Sequence, residues 1–324
     1  MKKNLFALLL FFIILSQFFC SEYKDIPCIK PEPILTLGKL DDKHEAFHQV
    51  KGVLVDSESN IYVLDSGNNR IVKFNKDGHF LLEFGRSGQG PGEFIHPTAF
   101  DIDSCNQIYV LDGSNYRVQI FDHNGNIVRE FKPRGIDFGS SATLRLDSMG
   151  NIYFNYPYKG KLIDVYSNDG HYLKSIGDYI YSGDKRRAKK MNITFFDLDK
   201  DDNMYVLFLS YPVVRKYDRN HNLIYEKDIS NIPEVQESMK NQNERIKTMP
   251  QATTGIFGGI GVTLNGDHIV HSGRFYRFDT NGKPVQKLEL FAYKMSIESD
   301  QFIFCVYPND EQGWIVEKYP LPKL

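Results

Sequence analysis

The chain has 324 residues, a formal net charge of −2 and a hydrophobic fraction of 41%. This is the composition of a globular protein with enough apolar side chains for a large core. A net charge near zero gives no electrostatic reason to expect a nucleic-acid partner, and an aromatic fraction of 14% favours strands.

The N-terminus has the pattern of an export signal. Lys2 and Lys3 precede an uninterrupted apolar run over residues 5–15, as in the positive and hydrophobic regions of signal peptides. We therefore predict a signal segment over residues 1–20 and export of the chain to the periplasm or cell envelope of a bacterium.

Retention at the membrane depends on the residues at the end of the signal segment. Cys20 is the candidate for lipidation, although Phe19 and Gln17 stand where the lipoprotein pattern has a small and an aliphatic residue. A retained anchor over residues 4–20 is the alternative, because that length approaches what a spanning helix requires. Residues 21–33 are predicted to be a short tether.

Internal repetition is the dominant feature of the remaining chain. Four copies begin at Gly52, Ala99, Thr143 and Phe195, each with an alternating strand, a polar turn containing Asp, and a second strand carrying a Tyr. A third and a fourth strand come next, joined by turns such as Asn124-Gly125 that are typical of hairpins. Each copy is therefore predicted to form one four-stranded unit.

Two degenerate copies complete the array, and the last one ends after its third strand. They begin at Gly261 and Lys294, and residues 34–38 resemble the ending of the fourth strand at Leu81 to Gly85. We predict an all-β, six-bladed β-propeller with four-stranded blades over residues 34–324. The N-terminal strand would complete the last blade and close the ring without open sheet edges.

Two stretches break the repeat period. Residues 178–193 lengthen the connector into blade four, and residues 230–258 insert before blade five, with a predicted helix from Glu234 to Lys247. Long loops on a rigid scaffold often carry function. The second insertion is either a lid or partner-docking element or a decoration of the scaffold.

The first strand of each blade has one position that differs from its apolar neighbours. Around the ring this position is predicted to hold Leu54, Asp101, Arg145, Asp197, Thr263 and Ser296. Charges of alternating sign on innermost strands are costly unless they are paired or line a wet channel. We predict that Asp101, Arg145 and Asp197 form an ion-pair network between blades. The alternative is that these residues line a polar channel and contact a ligand.

Residues His44 to His48 fit the H-E-x-x-H pattern of zinc metalloproteases. That chemistry requires a long helix and a third ligand, whereas only residues 42–49 could be helical before the next strand. Repeat alignment places Phe47 on Phe94 of the following blade. We therefore predict a connector in which Phe47 plugs the core.

The turns between second and third strands carry the most specific motif. Residues 65–70 (DSGNNR) and 112–117 (DGSNYR) share D-x-x-N-x-R, and the connector 84–94 is rich in Gly. On these residues the chain resembles the NHL-repeat and related six-bladed β-propellers. The resemblance covers residues 34–324 as architecture, and its motifs are specific in blades one and two.

The resemblance implies a site at the channel mouth, where fourth-to-first connectors and second-to-third turns share one face. The ligand-binding candidates at the mouth or in the channel lining are His48, Arg70, His96, Asp101, Tyr116, Arg117, Arg145, Lys159 and Asp197. Propeller lyases and lactonases of similar shape hold zinc or calcium there. Because no ring of His occurs at equivalent repeat positions, we predict no cofactor and assign no catalytic residue.

These expectations favour a non-enzymatic binding or scaffold module, which we expect to be a monomer tethered to the envelope membrane. Its partner is expected to be a protein, peptide or glycan, and no nucleic acid. The alternative is a metal-dependent lyase or lactonase, using Ca or Zn, with its site at the channel mouth. Fold-level resemblance supports both interpretations, because one fold hosts many activities.

Overall fold

The computed structural model describes residues 26–39, 42–134, 142–181, 183–248, 255–290, 292–309 and 313–323. The predicted signal segment and Cys20 lie outside these ranges. Within them, the structure contains no helix that combines the length and the apolarity needed to cross a membrane.

The described residues form six β-sheets that correspond to the predicted blades, each with its first strand innermost. Blade one contains β3 (Val50–Val55), β4 (Ile61–Asp65), β5 (Arg70–Phe74) and β6 (Phe80–Phe84). Blade two contains β7 (Ala99–Ile102), β8 (Ile108–Asp112), β9 (Arg117–Phe121) and β10 (Ile127–Phe131). Blade three contains β11 (Leu144–Leu146), β12 (Ile152–Tyr158), β13 (Lys161–Tyr166) and β14 (Tyr172–Asp178).

The second half of the ring has the same order. Blade four contains β15 (Thr194–Leu198), β16 (Met204–Phe208), β17 (Val213–Tyr217) and β18 (Leu223–Asp228). Blade five contains β19 (Gly259–Val262), β20 (His268–Ser272), β21 (Arg274–Phe278) and β22 (Pro284–Leu288). Blade six contains β23 (Lys294–Ile297), β24 (Phe302–Asn309), β25 (Gly313–Pro320) and the N-terminal β2 (Leu35–Leu37).

The six innermost strands form a closed ring around a channel. Each of β3, β7, β11, β15 and β19 contacts the next first strand, and β23 contacts β3 again. The prediction of a six-bladed β-propeller is confirmed. Since every first strand runs the same way, the channel has a connector side, where first strands begin, and a hairpin side, where they end.

The N-terminal chain closes the ring as predicted. β2 lies antiparallel to β25, with Leu35 opposite Lys318 and Leu37 opposite Val316, and the Leu37 side chain is buried. A further strand, which the sequence pattern does not indicate, precedes it: β1 (Cys28–Ile29) pairs in parallel with the outer strand of blade five. The end of the predicted tether is therefore held against the propeller.

The first-to-second turns are built on one Asp whose carboxylate binds its own turn. Asp56 Oδ1 accepts hydrogen bonds from the backbone N–H groups of Glu58 and Asn60, and Oδ2 accepts one from the Asn60 side chain. The corresponding residues Asp147 and Asp199 make the same contacts. These carboxylates stabilise local structure.

In blade five the predicted register is wrong by two residues at this turn. Val262 pairs with His268 as Val55 pairs with Ile61, so Thr263 occupies the turn position of Asp56 rather than the channel position. Its hydroxyl accepts the backbone N–H of Asp267, which is the role the Asp carboxylate has elsewhere. Gly261 therefore takes the channel position that was predicted for Thr263.

The H-E-x-x-H segment is a turn followed by a core contact, as predicted. Residues 43–45 form a turn rather than a helix, and the His44 ring stacks on Phe80 with a centroid distance of 3.6 Å. Phe47 is 2% exposed and packs edge-to-face on Phe74 at 6.1 Å. It plugs blade one as Phe94 plugs blade two.

Both predicted insertions contain a helix on the connector side. Helix α1 (Lys185–Met191) lies in the connector into blade four, and α2 (Pro233–Thr248) confirms the helix predicted before blade five. In and just before the first turn of α2, Val235 and Ile232 are buried, and Glu234 forms ion pairs with blade five. The start of this insertion is fixed to the scaffold.

Candidate functional site

The channel is divided into two cavities that meet at Arg145. On the connector side, the beginnings of the six first strands line a narrow cavity of about 70 Å³. On the hairpin side, their ends and the following turns line a wider cavity of about 750 Å³. Arg145 lines both cavities, so a charged residue lies between them.

One ion pair of the predicted Asp–Arg–Asp network, between Arg145 and Asp197, is present in the structure. Arg145 Nε donates to Asp197 Oδ1 at 2.5 Å, and the second oxygen of Asp197 accepts the backbone N–H of Val262 in the next blade at 3.0 Å. Asp101 likewise accepts the backbone N–H of Leu146 at 2.8 Å. The two carboxylates thus link neighbouring blades through backbone hydrogen bonds. The predicted ion pair between Arg145 and Asp197 is confirmed.

Burial changes the protonation equilibrium of this network. Desolvation raises the pKa of Asp101 to about 6, against the opposing effect of the positive charge on Arg145. The negative charge of Asp197 contributes to this increase in the pKa of Asp101. Of the nine predicted site residues, Asp101, Arg145 and Asp197 are the ones that the structure brings together.

The two predicted arginines brace the connectors. Arg70 Nε donates to Asp65, and its terminal nitrogens donate to backbone carbonyls of residues 43, 44 and 46. Arg117 does the same with Asp112 and with the carbonyls of Gly90 and Glu93. Both guanidinium groups are largely buried, so they stabilise the D-x-x-N-x-R turn.

The remaining predicted residues lie on the connector side but outside both cavities. The side chains of His48, His96, Tyr116 and Lys159 are exposed, and none lines either cavity. His96, Tyr116 and Lys159 also have left-handed backbones, with φ of 48°, 58° and 48°. They can contact a ligand that covers the face but not one confined to the channel.

Two lysines outside the predicted set complete the narrow cavity. Lys51, Arg145 and Lys294 all line it, and the described lining residues include no Asp or Glu. We call these three residues the basic mouth. They come from blades one, three and six, so the ring brings them together.

Strand geometry explains how both lysines reach the channel. Lys294 lies two residues before Ser296 on β23, and the alternation of side chains along a strand places both on one face. Lys51 would face the core by the same rule, but the β3–β4 register shifts between Val50 and Gly52. A bulge of this kind redirects a side chain, and it leaves Lys51 on the channel side.

The lysines of the basic mouth have no polar partner among the described residues. Neither ammonium group has a hydrogen bond or ion pair there, although Lys294 Nζ lies 5.6 Å from the ring centroid of Phe195. Burial, together with the positive charges of Lys51 and Arg145, lowers the pKa of Lys294 to about 8. Burial also lowers the pKa of Lys51.

The wider cavity is acidic but does not offer a metal site. Its lining includes Asp101, Asp147, Asp197, Asp199 and Glu298, and most of these carboxylates bind backbone N–H groups or Arg145. In the part of the chain that the structure describes, no three His, Cys, Asp or Glu residues are grouped to hold a metal ion. These residues do not fit the calcium or zinc of the predicted alternative, and we derive no step through a metal.

A family model described as a 6-bladed beta-propeller (DUF5128) matches residues 45–250. Protein brain tumor of Drosophila melanogaster is 35% identical over 52 residues, a stretch that covers 16% of this chain and 5% of that protein. The match to the fly protein therefore concerns one short segment of a much longer chain.

Solved structures share the architecture at low sequence identity. A Bacteroides fragilis protein named as exported has a TM-score of 0.61 at 14% identity, covering 92% of this chain and 99% of that one. A DUF4221 member from Bacteroides vulgatus scores 0.58 at 10% identity, covering 89% and 96%. Virginiamycin B lyase from Staphylococcus aureus scores 0.53 at 14% identity, covering 84% and 80%. At these identities the similarity shows the fold alone.

Proposed function

The chain belongs to the family of six-bladed β-propellers whose model spans residues 45–250, and on that premise we propose that it is a non-enzymatic binding module of the bacterial envelope. Its ligand is a protein, peptide or glycan that docks on the connector side of the ring. The centre of the docking face is the basic mouth.

The difference between the two ends of the channel supports this proposal. On the hairpin side, short turns use their carboxylates to bind their own backbone, as at Asp56, Asp147 and Asp199. On the connector side lie the long connectors with α1 and α2, exposed His48 and His96, and a cavity with unpaired lysines. Loops on a rigid scaffold are where binding residues concentrate.

The cellular setting is part of the same proposal. The positive and apolar N-terminal segment directs export, and Cys20 or a retained anchor tethers the propeller to the membrane, with the ring acting as a monomer. Membership of the NHL-repeat subgroup remains a prediction from the D-x-x-N-x-R turns at residues 65–70 and 112–117.

A lyase or lactonase is the second candidate function. The observation that favours it is Lys294, an amine with its pKa lowered to about 8 inside a cavity. An amine of this kind is a suitable general base near neutral pH without a metal.

Screening on glycan and peptide arrays tests the binding proposal. Single cysteines replace His48 on the connector side or Met149 on the hairpin side, in a background where Cys20, Cys28 and Cys105 are Ser. Each variant is coupled to a bulky maleimide before the screen. We expect array binding that is lost after blocking residue 48 and retained after blocking residue 149. Equal loss in both variants, or no array ligand, would contradict the proposal.

A further inference from the structure

We propose that the basic mouth binds an oxyanion, the carboxylate or phosphate group that a ligand inserts into the channel from the connector side. The inference deepens the proposed function and rests on it for the side from which the ligand approaches. It concerns Lys51, Arg145 and Lys294, which line one cavity without a carboxylate among its described lining residues.

The first argument is the charge balance of the channel. Asp197 pairs with Arg145 at 2.5 Å, and Asp101 is the other carboxylate of the network. Neither Lys51 nor Lys294 has an ion-pair partner among the described residues. Desolvated like charges destabilise a fold unless an opposite charge compensates them. A bound oxyanion would compensate the two lysines.

The second argument is the donor geometry. Arg145 uses Nε for Asp197 and Nη1 for the carbonyl of Leu144, and its Nη2 has no partner among the described residues. This nitrogen and the two ammonium groups are donors from three blades around one cavity. Several charged donors around one point suit an oxyanion, which has several acceptor oxygens.

The third argument is size. A cavity of about 70 Å³ holds roughly five water molecules, since one water requires about 10–15 Å³ of cavity volume. That space accommodates one carboxylate or phosphate group but not a sugar ring. The charged end of the ligand therefore enters the channel, and the remainder lies on the connector face with the exposed side chains of His48 and His96.

The proposal is tested by titration calorimetry of the full chain with inorganic phosphate and with acetate. We expect saturable binding with a Kd on the order of millimolar, as for a single small group. The substitution Lys294→Met is expected to weaken it about tenfold or more and to raise Tm, because it removes a desolvated charge. A variant that loses binding while gaining stability is not misfolded.

A matched control makes the same charge change at the hairpin-side cavity. Lys200 is exposed and lines the hairpin-side cavity, so Lys200→Met should leave phosphate and acetate binding unchanged. Binding by the parent should also weaken as the pH rises above about 8, where Lys294 loses its proton. Equal weakening in both variants would indicate general electrostatic attraction and would overturn the proposal.

Two further results separate this inference from the proposed function. Glucuronate and glucose 6-phosphate are compared with glucose, which has the same ring without the anion. If array ligands bind on the connector side but the anionic and neutral sugars bind equally, the oxyanion inference fails and the binding module remains. No saturable binding of phosphate or acetate at about 100 mM, where even very weak sites fill, would also overturn it.

Discussion

Replacing Asp112 by Ala should show how much the D-x-x-N-x-R turn contributes to stability. The Asp112 side chain is 0% exposed, and it accepts hydrogen bonds from Ile95 N, Asn115 Nδ2 and Arg117 Nε at 2.8, 2.8 and 3.0 Å. The substitution removes the buried carboxylate that these three donors share, and it leaves Arg117 with the partly exposed Glu130 as its remaining ion-pair partner. Breaking a buried ion pair from one side costs about 3–5 kcal/mol, and we expect a loss of this size.

Urea denaturation followed by circular dichroism measures this loss. The matched control is Asp77→Ala, because Asp77 also pairs with a cation, Lys76, but both side chains are more than half exposed. Exposed pairs contribute about 0–1 kcal/mol, so the two variants should differ by roughly 3 kcal/mol. Equal denaturation midpoints for the two variants would refute the reasoning that burial of the ion pair, and not pairing itself, determines how much the turn contributes to the free energy of unfolding.

Three further predictions concern closure, the core plug and pH. Deleting residues 29–39 removes the outer strand of blade six and buried Leu37, and should lower Tm of the whole ring in a calorimetric scan; a deletion variant that melts like the parent would exclude this closure. Phe47→Ala should cost about 3–5 kcal/mol in chemical denaturation, whereas Phe80→Ala, at 39% exposure, should cost about 1 kcal/mol or less; similar costs would count against the plug. The pKa of Asp101 is raised to about 6 in the fold, so its contribution to stability is complete below pH about 4 and is lost as pH rises through about 6. The variant Asp101→Asn should therefore gain about 1–3 kcal/mol relative to the parent between pH 4 and 7, and an unchanged difference across that range would contradict the assignment.

Most of the architecture could be predicted because each blade repeats the same local rules. Alternating strands, hairpin turns and the copy of a fourth strand at residues 34–38 were sufficient for six blades and a closing strand. The parallel pairing of Cys28 and Ile29 with β22 was missed, because two residues carry no pattern of their own. In blade five the sequence was misleading, because Thr263 replaces Asp as the residue that holds the turn.

For the candidate site, the sequence determined which residue types face the channel, and tertiary structure decided which of them meet. The period of two identified Asp101, Arg145 and Asp197, and the same rule applied two residues earlier would have identified Lys294. Lys51 could not be found in this way, because the bulge in β3 moves it off the regular alternation. The proximity of Lys51, Arg145 and Lys294 depends on closure of the ring, which brings together side chains that are far apart in the chain. Local periodicity specifies the face of a strand, but only the closed ring specifies which charges share a cavity.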